Sequence, residues 1–291
     1  MDISELQAFL AVADKTSFSQ AAERLFLTQP AISKRIASLE AELGTKLFDR
    51  IGRRVSLTEA GLALLPRARH ILDEIDDSRR AIANLAGKIE GRLSFATSHH
   101  IGLRRLPPVL RRYHRRYPHV ALDIQFMDSE QACQAVLRGE LELAIVTLPT
   151  LALNKLDIQT VWHDQLTVMV AVDHPLAELP SLSLQELARW QAIMPAQGTY
   201  TREIIESAFA RHTLQIEASM STNYLETIRM LVAAGLGWSV LPLTMLDEQL
   251  IALNLPSLHM SRALGVVSHT RRSLSNAACA LRSLLAEETT E

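Results

Sequence analysis

Cysteine is scarce in this 291-residue chain. The two cysteines, Cys133 and Cys279, are too few and too far apart for a disulfide framework or for a zinc site with paired ligand spacing. Both have small apolar neighbours, a pattern that predicts buried packing residues and not reactive thiols. We therefore expect a hydrophobic core to stabilise the protein in a reducing compartment.

Long hydrophobic runs are also missing. No uninterrupted apolar stretch reaches the length needed to cross a membrane. Asp2 and Glu5 place negative charge where a secretory signal needs positive charge. The expectation is a cytoplasmic protein with no membrane partner.

The common motifs of enzyme sites do not occur. There is no G-x-S-x-G elbow, no phosphate-binding P-loop and no pair of spaced metal ligands. His99 and His100 are adjacent, so their side chains diverge on a helix or strand, and no cysteine or acidic cluster lies near them. We therefore predict a protein that is not an enzyme and that uses no metal and no cofactor.

Net charge is small, but positive charge is concentrated locally. The formal charge of −2 gives no overall attraction to nucleic acid. Between residues 24 and 54, however, basic residues outnumber the acidic Glu40, Glu42 and Asp49. The basic residues are Arg24, Lys34, Arg35, Lys46, Arg50, Arg53 and Arg54. This segment is the candidate for phosphate contact.

Three helices are predicted in the first 44 residues. Apolar residues recur at helical spacing over 6–13, and cap-type residues at 16–19 precede a short helix over 20–25. A third helix begins at 28–30 and ends at Gly44. Two helices joined by a short turn, the second amphipathic, are typical of a helix-turn-helix.

The third helix and the segment after it carry the candidate DNA contacts. Ser33, Lys34 and Arg35 lie near the helix start, the end that reaches base edges in the major groove. Residues 47–57 predict a basic hairpin, a wing along the phosphates. The alternative is a helix that packs in any helical domain, with its basic residues merely solvated.

The run AAERLFLTQPAISKRIASLEAELGTKLFDR, followed by VSLTEAG, resembles the winged helix-turn-helix of LysR-type transcriptional regulators, and the likeness continues along the whole chain. The resemblance implies base contacts from the recognition helix and from arginines of the wing. With the flanking positions included, the predicted DNA-binding residues are Thr28, Gln29, Pro30, Ser33, Lys34, Arg35, Arg50 and Arg53. Lys34 stands where arginine is commoner in the family, and the two differ in how they recognise guanine.

Three segments are expected: a winged helix-turn-helix over 1–58, a linker helix over 59–88 and an effector-binding domain over 89–291. Apolar residues of the linker alternate by three and four, a seam that Arg79 interrupts. The resemblance implies that this helix pairs with its twin in a dimer, and that dimers associate into tetramers. The alternative is a helix lying against its own domain.

Strands and helices alternate after Gly91, which predicts an α/β fold. Predicted strands cover 93–96, 121–126, 143–146, 168–172, 192–194, 216–220, 238–241 and 264–268. Predicted helices cover 103–117, 130–137, 202–211, 225–234 and 275–286. The resemblance implies a two-lobed effector domain like that of periplasmic binding proteins. Lobe 1 takes about 89–162 and 265–291, and lobe 2 about 163–264.

Hydroxyl-rich stretches follow several of the predicted strands. Ligands of open α/β sheets collect at strand C-termini, where helix N-termini attract anions. The resemblance also implies that some of these positions line the effector cleft. Together, the rule and the resemblance give a candidate site of Ser98, His99, His100, Thr147, Thr199 and Thr201. We expect a small anionic effector there. The alternative is that these residues are ordinary helix caps.

The sequence thus predicts a DNA-binding transcriptional regulator controlled by a small molecule. Its expected partners are double-stranded operator DNA, the anionic effector and further copies of itself, with RNA polymerase left open as another. Two competing classes are a ligand carrier, because the C-terminal part resembles solute-binding proteins, and an enzyme. The acidic N-terminus and the helix-turn-helix argue against a carrier, and the missing motifs argue against an enzyme.

Overall fold

The structure of the protein is a computed structural model that describes residues 1–51, 54–85, 87–179 and 182–288. The chain divides into two compact units, residues 1–85 and 86–291. No helix within the described ranges is long and apolar enough to cross a membrane.

The first unit consists of four helices and a hairpin. Its elements are α1 (Ile3–Lys15), α2 (Phe18–Arg24), α3 (Gln29–Leu43), β1 (Phe48–Ile51), β2 (Arg54–Leu57) and α4 (Glu59–Leu85). Asp2, Ser17 and Thr28 cap the first three helices, each accepting a hydrogen bond from a backbone N–H in the first turn. Gly44, in the left-handed region at φ 67°, ends α3. The helix-turn-helix and wing hairpin predicted from the sequence are therefore confirmed.

An aromatic cluster joins the hairpin to the helices of the first unit. The ring of Phe48 in β1 lies 5.4 Å from that of Phe9 and 5.8 Å from that of Phe18. The apolar face of α3 is buried against the same core through Ile32 and Ile36. This packing leaves the start of α3 uncovered within the unit.

The α4 helix exposes much of its apolar surface. Ala68 of α4 is fully buried in the core of the first unit, whereas Leu62, Ile82 and Leu85 are 60%, 71% and 87% exposed. Apolar side chains left in water on a helix favour burial against another surface.

The second unit contains a seven-stranded sheet, a two-stranded sheet, seven α-helices and two short 3-10 helices within the described ranges. Its strands are β3 (Gly91–Thr97), β4 (Val120–Phe126), β5 (Leu143–Thr147), β6 (Leu156–Ala171), β7 (Ala192–Met194), β8 (Ala218–Ser221), β9 (Ser239–Pro242), β10 (Leu250–Ala252) and β11 (Met260–His269). Its helices are α5 (His99–Arg104), α6 (Leu106–Arg116), α7 (Ser129–Arg138), α8 (Leu184–Leu187), α9 (Tyr200–Ala210), α10 (Leu225–Ala233) and α11 (Asn276–Glu287).

Two long antiparallel strands, β6 and β11, connect the lobes of this unit. The sheet order is β10-β6-β11-β5-β3-β4, and β9 also pairs with β6. The register of β6 against β11 shifts between Leu264 and Gly265. A side chain at Gly265 would overlap the carbonyl of Gln159, so the crossing needs glycine there.

Each lobe has its own core. In lobe 1, Phe95 and Tyr113 are fully buried, and the Tyr113 hydroxyl donates to the Ala277 carbonyl at 2.8 Å. In lobe 2, the rings of Phe209 and Trp238 stack with centroids 5.8 Å apart. The cavities described below are lined by residues of both lobes.

Three details of the sequence prediction are wrong. The helix expected over 103–117 is two helices, because Pro107 and Pro108 cannot donate to the carbonyls of residues 103 and 104 and their rings clash there. The strand expected at 168–172 is the second half of β6. Cys279 is exposed, because it lies on the outer face of α11.

Gly61→Ala tests the packing of α4 against the wing. Alanine favours a helix by about 1 kcal/mol over glycine, but a Cβ here would overlap the carbonyl oxygen of Leu47. We expect a net loss of about 1–3 kcal/mol in the free energy of unfolding, measured by denaturant titration. The exposed neighbour variant Leu62→Ala should change it by less than about 0.5 kcal/mol. A stabilised Gly61→Ala protein would contradict this packing.

Candidate effector site and DNA-binding surface

The start of α3 presents the predicted DNA-binding residues. Thr28 caps the helix, its Oγ1 accepting from the Ala31 N–H at 3.4 Å. Gln29, Pro30 and Lys34 are exposed, and Ser33 and Arg35 are half-buried. These positions share the first two turns of α3, the part of a recognition helix that enters the major groove.

The basic residues of this segment differ in what they already bind. Arg24 pairs with Asp14 at 3.1 Å and Lys46 with Glu40 at 2.8 Å. Lys34 and Arg35 have no hydrogen-bond or ion-pair partner among the residues that the structure describes. Their charges are therefore available to phosphates or bases.

The wing carries the other two predicted contacts. Arg50 lies in β1, where its backbone is paired with Val55 of β2. Arg53 lies outside the described residues, so its contact with DNA stays a prediction.

All six predicted effector residues line one cavity of about 50 Å³ in the second unit. Ser98, His99 and His100 follow β3, Thr147 ends β5, and Thr199 and Thr201 belong to the start of α9. The lining also includes residues that the sequence did not single out: Asp128, Ser129, Glu130, Pro195, Asn223, Tyr224, Leu225 and Arg262.

Three helices of nine to eleven residues, α7, α9 and α10, begin at this cavity. A helix N-terminus carries unpaired N–H groups and a partial positive charge. These helix ends contribute positive field to the cavity, whereas the carboxyl groups of Asp128 and Glu130 in its lining oppose it.

A largely buried ion cluster reaches the cavity through Arg262, which lines it. Arg262 donates from Nη2 to Asp164 Oδ2 at 2.9 Å and from Nη1 to Thr201 Oγ1 at 3.2 Å. Arg105 Nη2 donates to the other oxygen, Asp164 Oδ1, at 2.5 Å. Burial opposes ionisation of Asp164, but its contacts with His100, Arg262 and Arg105 outweigh it and hold the pKa of the carboxyl well below its usual value. Two cations share one anion, so the cluster keeps a net positive charge.

His100 is buried beside the cluster with unused polar atoms. Its Nε2 lies 3.5 Å from Asp164 Oδ2, an ion-pair distance, and neither ring nitrogen makes a hydrogen bond among the described residues. Burial lowers the pKa of His100, with the Asp164 carboxylate opposing that effect. Because leaving a buried polar group without a partner costs free energy, His100 is suited to bind a ligand.

Two acidic residues at the start of α7 connect the two lobes around the cavity. Asp128 accepts from Asn223 Nδ2 at 2.7 Å, and Glu130 accepts from the Tyr200 N–H at 2.6 Å. Burial raises the pKa of Glu130 above its ordinary value. Glu130 thus occupies the N-terminus of α9 with a carboxyl group from the opposite lobe.

Asp164 and Arg262 were not among the residues predicted from the sequence. Both are almost fully buried inside strands. Asp164 stands between His163 and Gln165, and Arg262 follows Ser261. Both also lie outside the strands predicted at 168–172 and 264–268, so nothing in the sequence signalled their burial. Only the pairing of β6 with β11 shows that Asp164 and Arg262 face each other.

Two family models match the chain. The model for "Bacterial regulatory helix-turn-helix protein, lysR family" matches residues 3–62, and that for "LysR substrate binding domain" matches residues 86–290. The chain belongs to the LysR family of transcriptional regulators. Members of this family are regulators and not enzymes; they bind DNA and small-molecule effectors and are oligomeric.

Similar proteins extend along most of the chain. Escherichia coli K12 YeiE, named an uncharacterized HTH-type transcriptional regulator, is 32% identical over 283 residues, or 94% of each chain. The Synechocystis transcriptional activator CmpR is 31% identical over 241 residues, covering 83% of this chain and 79% of that protein. An HTH-type regulator of Azotobacter vinelandii is 65% identical over 108 residues, which are 37% of this chain and 75% of that one.

Solved LysR-type structures share the fold. A full-length OxyR variant from Pseudomonas aeruginosa has a TM-score of 0.70 at 24% identity, covering 99% of this chain and 94% of that one. Full-length CbnR, solved in complex with its target DNA, has a TM-score of 0.62 at 21% identity, covering 100% and 99%. The expected fold, a winged helix-turn-helix with a two-lobed α/β effector domain, is confirmed for this LysR-type regulator.

Asp164→Asn tests the buried cluster. Removing the anion leaves the buried Arg262 and the half-buried Arg105 uncompensated, so the free energy of unfolding should fall by about 3–5 kcal/mol at neutral pH. Asp157→Asn is the matched control on the same strand. It breaks an exposed pair with Arg282, 2.7 Å long, and should cost no more than about 1 kcal/mol.

A comparison of wild type with Asp164→Asn also tests the lowered pKa of Asp164. A carboxyl whose native pKa is depressed stabilises the fold above its unfolded pKa, about 3.9, and loses that contribution as the pH falls further. Denaturant titrations at several pH values should therefore show wild type and Asp164→Asn converging below about pH 4. A constant difference down to strong acid would contradict the cluster.

Proposed function

We propose that this LysR-type regulator responds to a small molecule whose anionic group binds in the polar cavity of the second unit. The observation that carries the proposal is the unused binding capacity there. Three helix N-termini, one of them already bonded to Glu130, meet at one space within the described part of the chain. Arg262 of the net positive Arg105–Asp164–Arg262 cluster lines the same space, together with the imidazole of His100, whose ring nitrogens make no hydrogen bond among the described residues. Together they favour negative charge.

The size of the cavity limits the group that it accepts. A volume of about 50 Å³ suits a carboxylate or an oxyanion of a few atoms. Ser98, Thr147 and Thr201 supply hydroxyls that can donate to such oxygens. We infer that these residues, with His100 and Arg262, make the contacts.

Signalling follows from the position of the site between the lobes. Ser98, His100 and Thr147 come from lobe 1, whereas Thr199 and Thr201 come from lobe 2. An anion that touches both sets binds the closed arrangement better than an open one and shifts the population toward it. We infer that this shift changes how the DNA-binding units engage their half-sites.

For DNA, we infer that the start of α3 reads bases in the major groove while the wing follows the phosphates. Lys34 and Arg35 carry uncommitted charge, and Gln29 is exposed at the first turn. We also infer a dimer formed through α4, supported by the exposure of Ile82 and Leu85. Tetramer formation and contact with RNA polymerase stay predictions.

A thermal-shift titration of the full-length protein tests the effector site. Acetate, sulfate and phosphate are the probes, with sodium chloride at matched ionic strength as the baseline. An anion at about one hundred times its dissociation constant should stabilise the protein by about 2.7 kcal/mol. Thr201→Val should weaken binding, because it removes the hydroxyl bonded to Arg262. Thr150→Val, which removes a hydroxyl bonded to Glu203 outside the polar cavity, is the control. The anionic site is wrong if no probe acts beyond the chloride baseline.

A DNA titration tests the α3 surface. Sites are first selected from random duplexes with the full-length protein, and binding is then measured across a range of salt concentrations. Lys34→Ala should weaken binding and reduce the salt slope by about 1 if Lys34 contacts phosphate. If Lys34 contacts a base, the loss should be about 1–3 kcal/mol and depend on one base pair. Lys155→Ala, an exposed charge in the second unit, is the control. Unchanged binding by Lys34→Ala would remove this residue from the interface.

A further inference from the structure

We propose that the effector of this regulator carries an aryl or branched alkyl group, which binds in a second, apolar cavity next to the polar one. This rests on the proposed function, because the polar cavity is taken to hold the anionic end of the same molecule. The proposal therefore names the effector class: a hydrophobic carboxylate or a similar amphiphilic anion.

The second cavity is large and apolar. It measures about 380 Å³ and lies between α5, the end of β4 and the start of α10. Leu103, Phe126 and Tyr224 are its main apolar walls, each between 51% and 58% exposed. An apolar cavity of about 150 Å³ is enough to bind benzene, so this one has room for a ring with substituents.

The two cavities adjoin each other. His99, His100, Tyr224 and Leu225 line both of them. The ring of His99 lies between those of Phe126, at 5.2 Å, and Tyr224, at 4.8 Å. His100, whose ring nitrogens have no hydrogen-bond partner in the described part of the chain, stands at the junction. One molecule can therefore bond His100 with its head and contact the aromatic walls with its tail.

A glycine in α5 shapes the apolar wall. A Cβ at Gly102 would overlap the ring of Phe126, so glycine allows that ring to lie directly on the helix. Glycine inside a helix costs about 1 kcal/mol relative to alanine. Gly102 thus allows the Phe126 ring to pack on α5, at a cost to the stability of that helix.

The surroundings favour a small molecule as occupant. The walls come from both lobes, and an ion pair from Arg104 of α5 to Glu226 of α10, with contacts of 2.9 and 3.0 Å, lies across the outer edge. An apolar interior with a few polar groups at its edge is typical of ligand pockets. A tail bound here adds apolar contact to the closed arrangement of the lobes and strengthens the effect of the head.

Binding of matched pairs of anions to the full-length protein tests this proposal. Benzoate and phenylacetate should bind at least tenfold more tightly than acetate in a thermal-shift or calorimetric titration. Leu103→Trp, at an exposed position where a larger side chain can be accommodated, should fill the apolar cavity. It should abolish the preference for the aryl acids while leaving acetate binding unchanged. Leu246→Trp, exposed but outside both cavities, is the control.

The outcomes separate the two proposals. Equal affinity for acetate and the aryl acids overturns the apolar subsite and leaves the anionic site in place. The same holds if the preference survives in Leu103→Trp. If neither acetate nor any aryl acid binds, both proposals fail. Binding of uncharged benzyl alcohol as tightly as benzoate would also overturn the joint site, because the anionic head would then contribute nothing.

A second inference comes from the turn between α2 and α3. Phe26 donates to the Glu23 carbonyl at 3.2 Å and Leu27 to the Ala22 carbonyl at 2.9 Å, the two bonds of a Schellman ending. Phe26 occupies the left-handed position of that motif, at φ 53°, where glycine is usual. Its side chain is nevertheless 95% exposed. The position is thus unfavourable for phenylalanine in both backbone and side chain.

We infer that Phe26 contacts DNA. It precedes the Thr28 cap of α3 by two residues, so its ring stands beside the proposed recognition surface. Deoxyribose and thymine methyl groups are the apolar parts of DNA that such a ring can cover. The inference rests on α3 being the recognition helix.

Phe26→Gly separates a DNA contact from a structural role. Glycine suits the left-handed turn, so the unfolding midpoint should rise by about 4–8 °C if the first unit melts by itself. Affinity for the selected DNA should fall about tenfold. Leu151→Ala, an exposed apolar residue of the second unit that lies outside both cavities, should leave affinity unchanged. A lower unfolding midpoint, or unchanged affinity of Phe26→Gly for DNA, would overturn the inference. If Lys34→Ala loses binding and Phe26→Gly does not, α3 stays the recognition helix and Phe26 makes no contact with DNA.

Discussion

A single buried carboxylate organises the effector domain. Asp164 lies in β6, where this strand passes between the lobes, and it holds Arg262 from β11 and Arg105 from the break between α5 and α6. Each cation fixes a different part of the site: Arg262 bonds Thr201 of lobe 2, and Arg105 fixes the end of the helix that carries His100. Removing the carboxylate would leave positive charge buried without compensation, so site geometry and domain stability depend on the same pairing.

The two crossing strands explain why a cavity forms at this level of the fold. β6 and β11 stay hydrogen-bonded from one lobe to the other, with the register shift at Gly265 between them. Helices α7, α9 and α10 all begin on the same side of these strands, so their N-terminal ends gather around the ion cluster. Positive field and apolar walls thus arise from backbone topology, and a few side chains then select the ligand.

Much of this architecture could be predicted from local sequence signals, because they act over a few residues. Thr28, Pro30 and Gly44 mark the recognition helix, and hydroxyls after predicted strands led to the residues that line the polar cavity. Pairing between distant strands was not visible, and Asp164 and Arg262 have polar neighbours in the sequence, so both were missed. The break in the predicted helix over 103–117 could have been predicted from Pro107 and Pro108. The apolar cavity could not be predicted, because it needs Phe126 and Tyr224, almost a hundred residues apart, on facing surfaces.

Glu130 has a consequence for sensitivity. Its carboxyl group accepts the first free N–H of α9 from across the cleft, while Asp128 holds Asn223 in the same way. Glu130 would therefore compete for this helix end with the anionic effector that we propose, while its hydrogen bond already joins the two lobes in this structure. The net effect of such an effector on closure would be its own contacts minus those of Glu130 that it displaces. Its apparent affinity would thus depend on how strongly one side chain holds the start of α9.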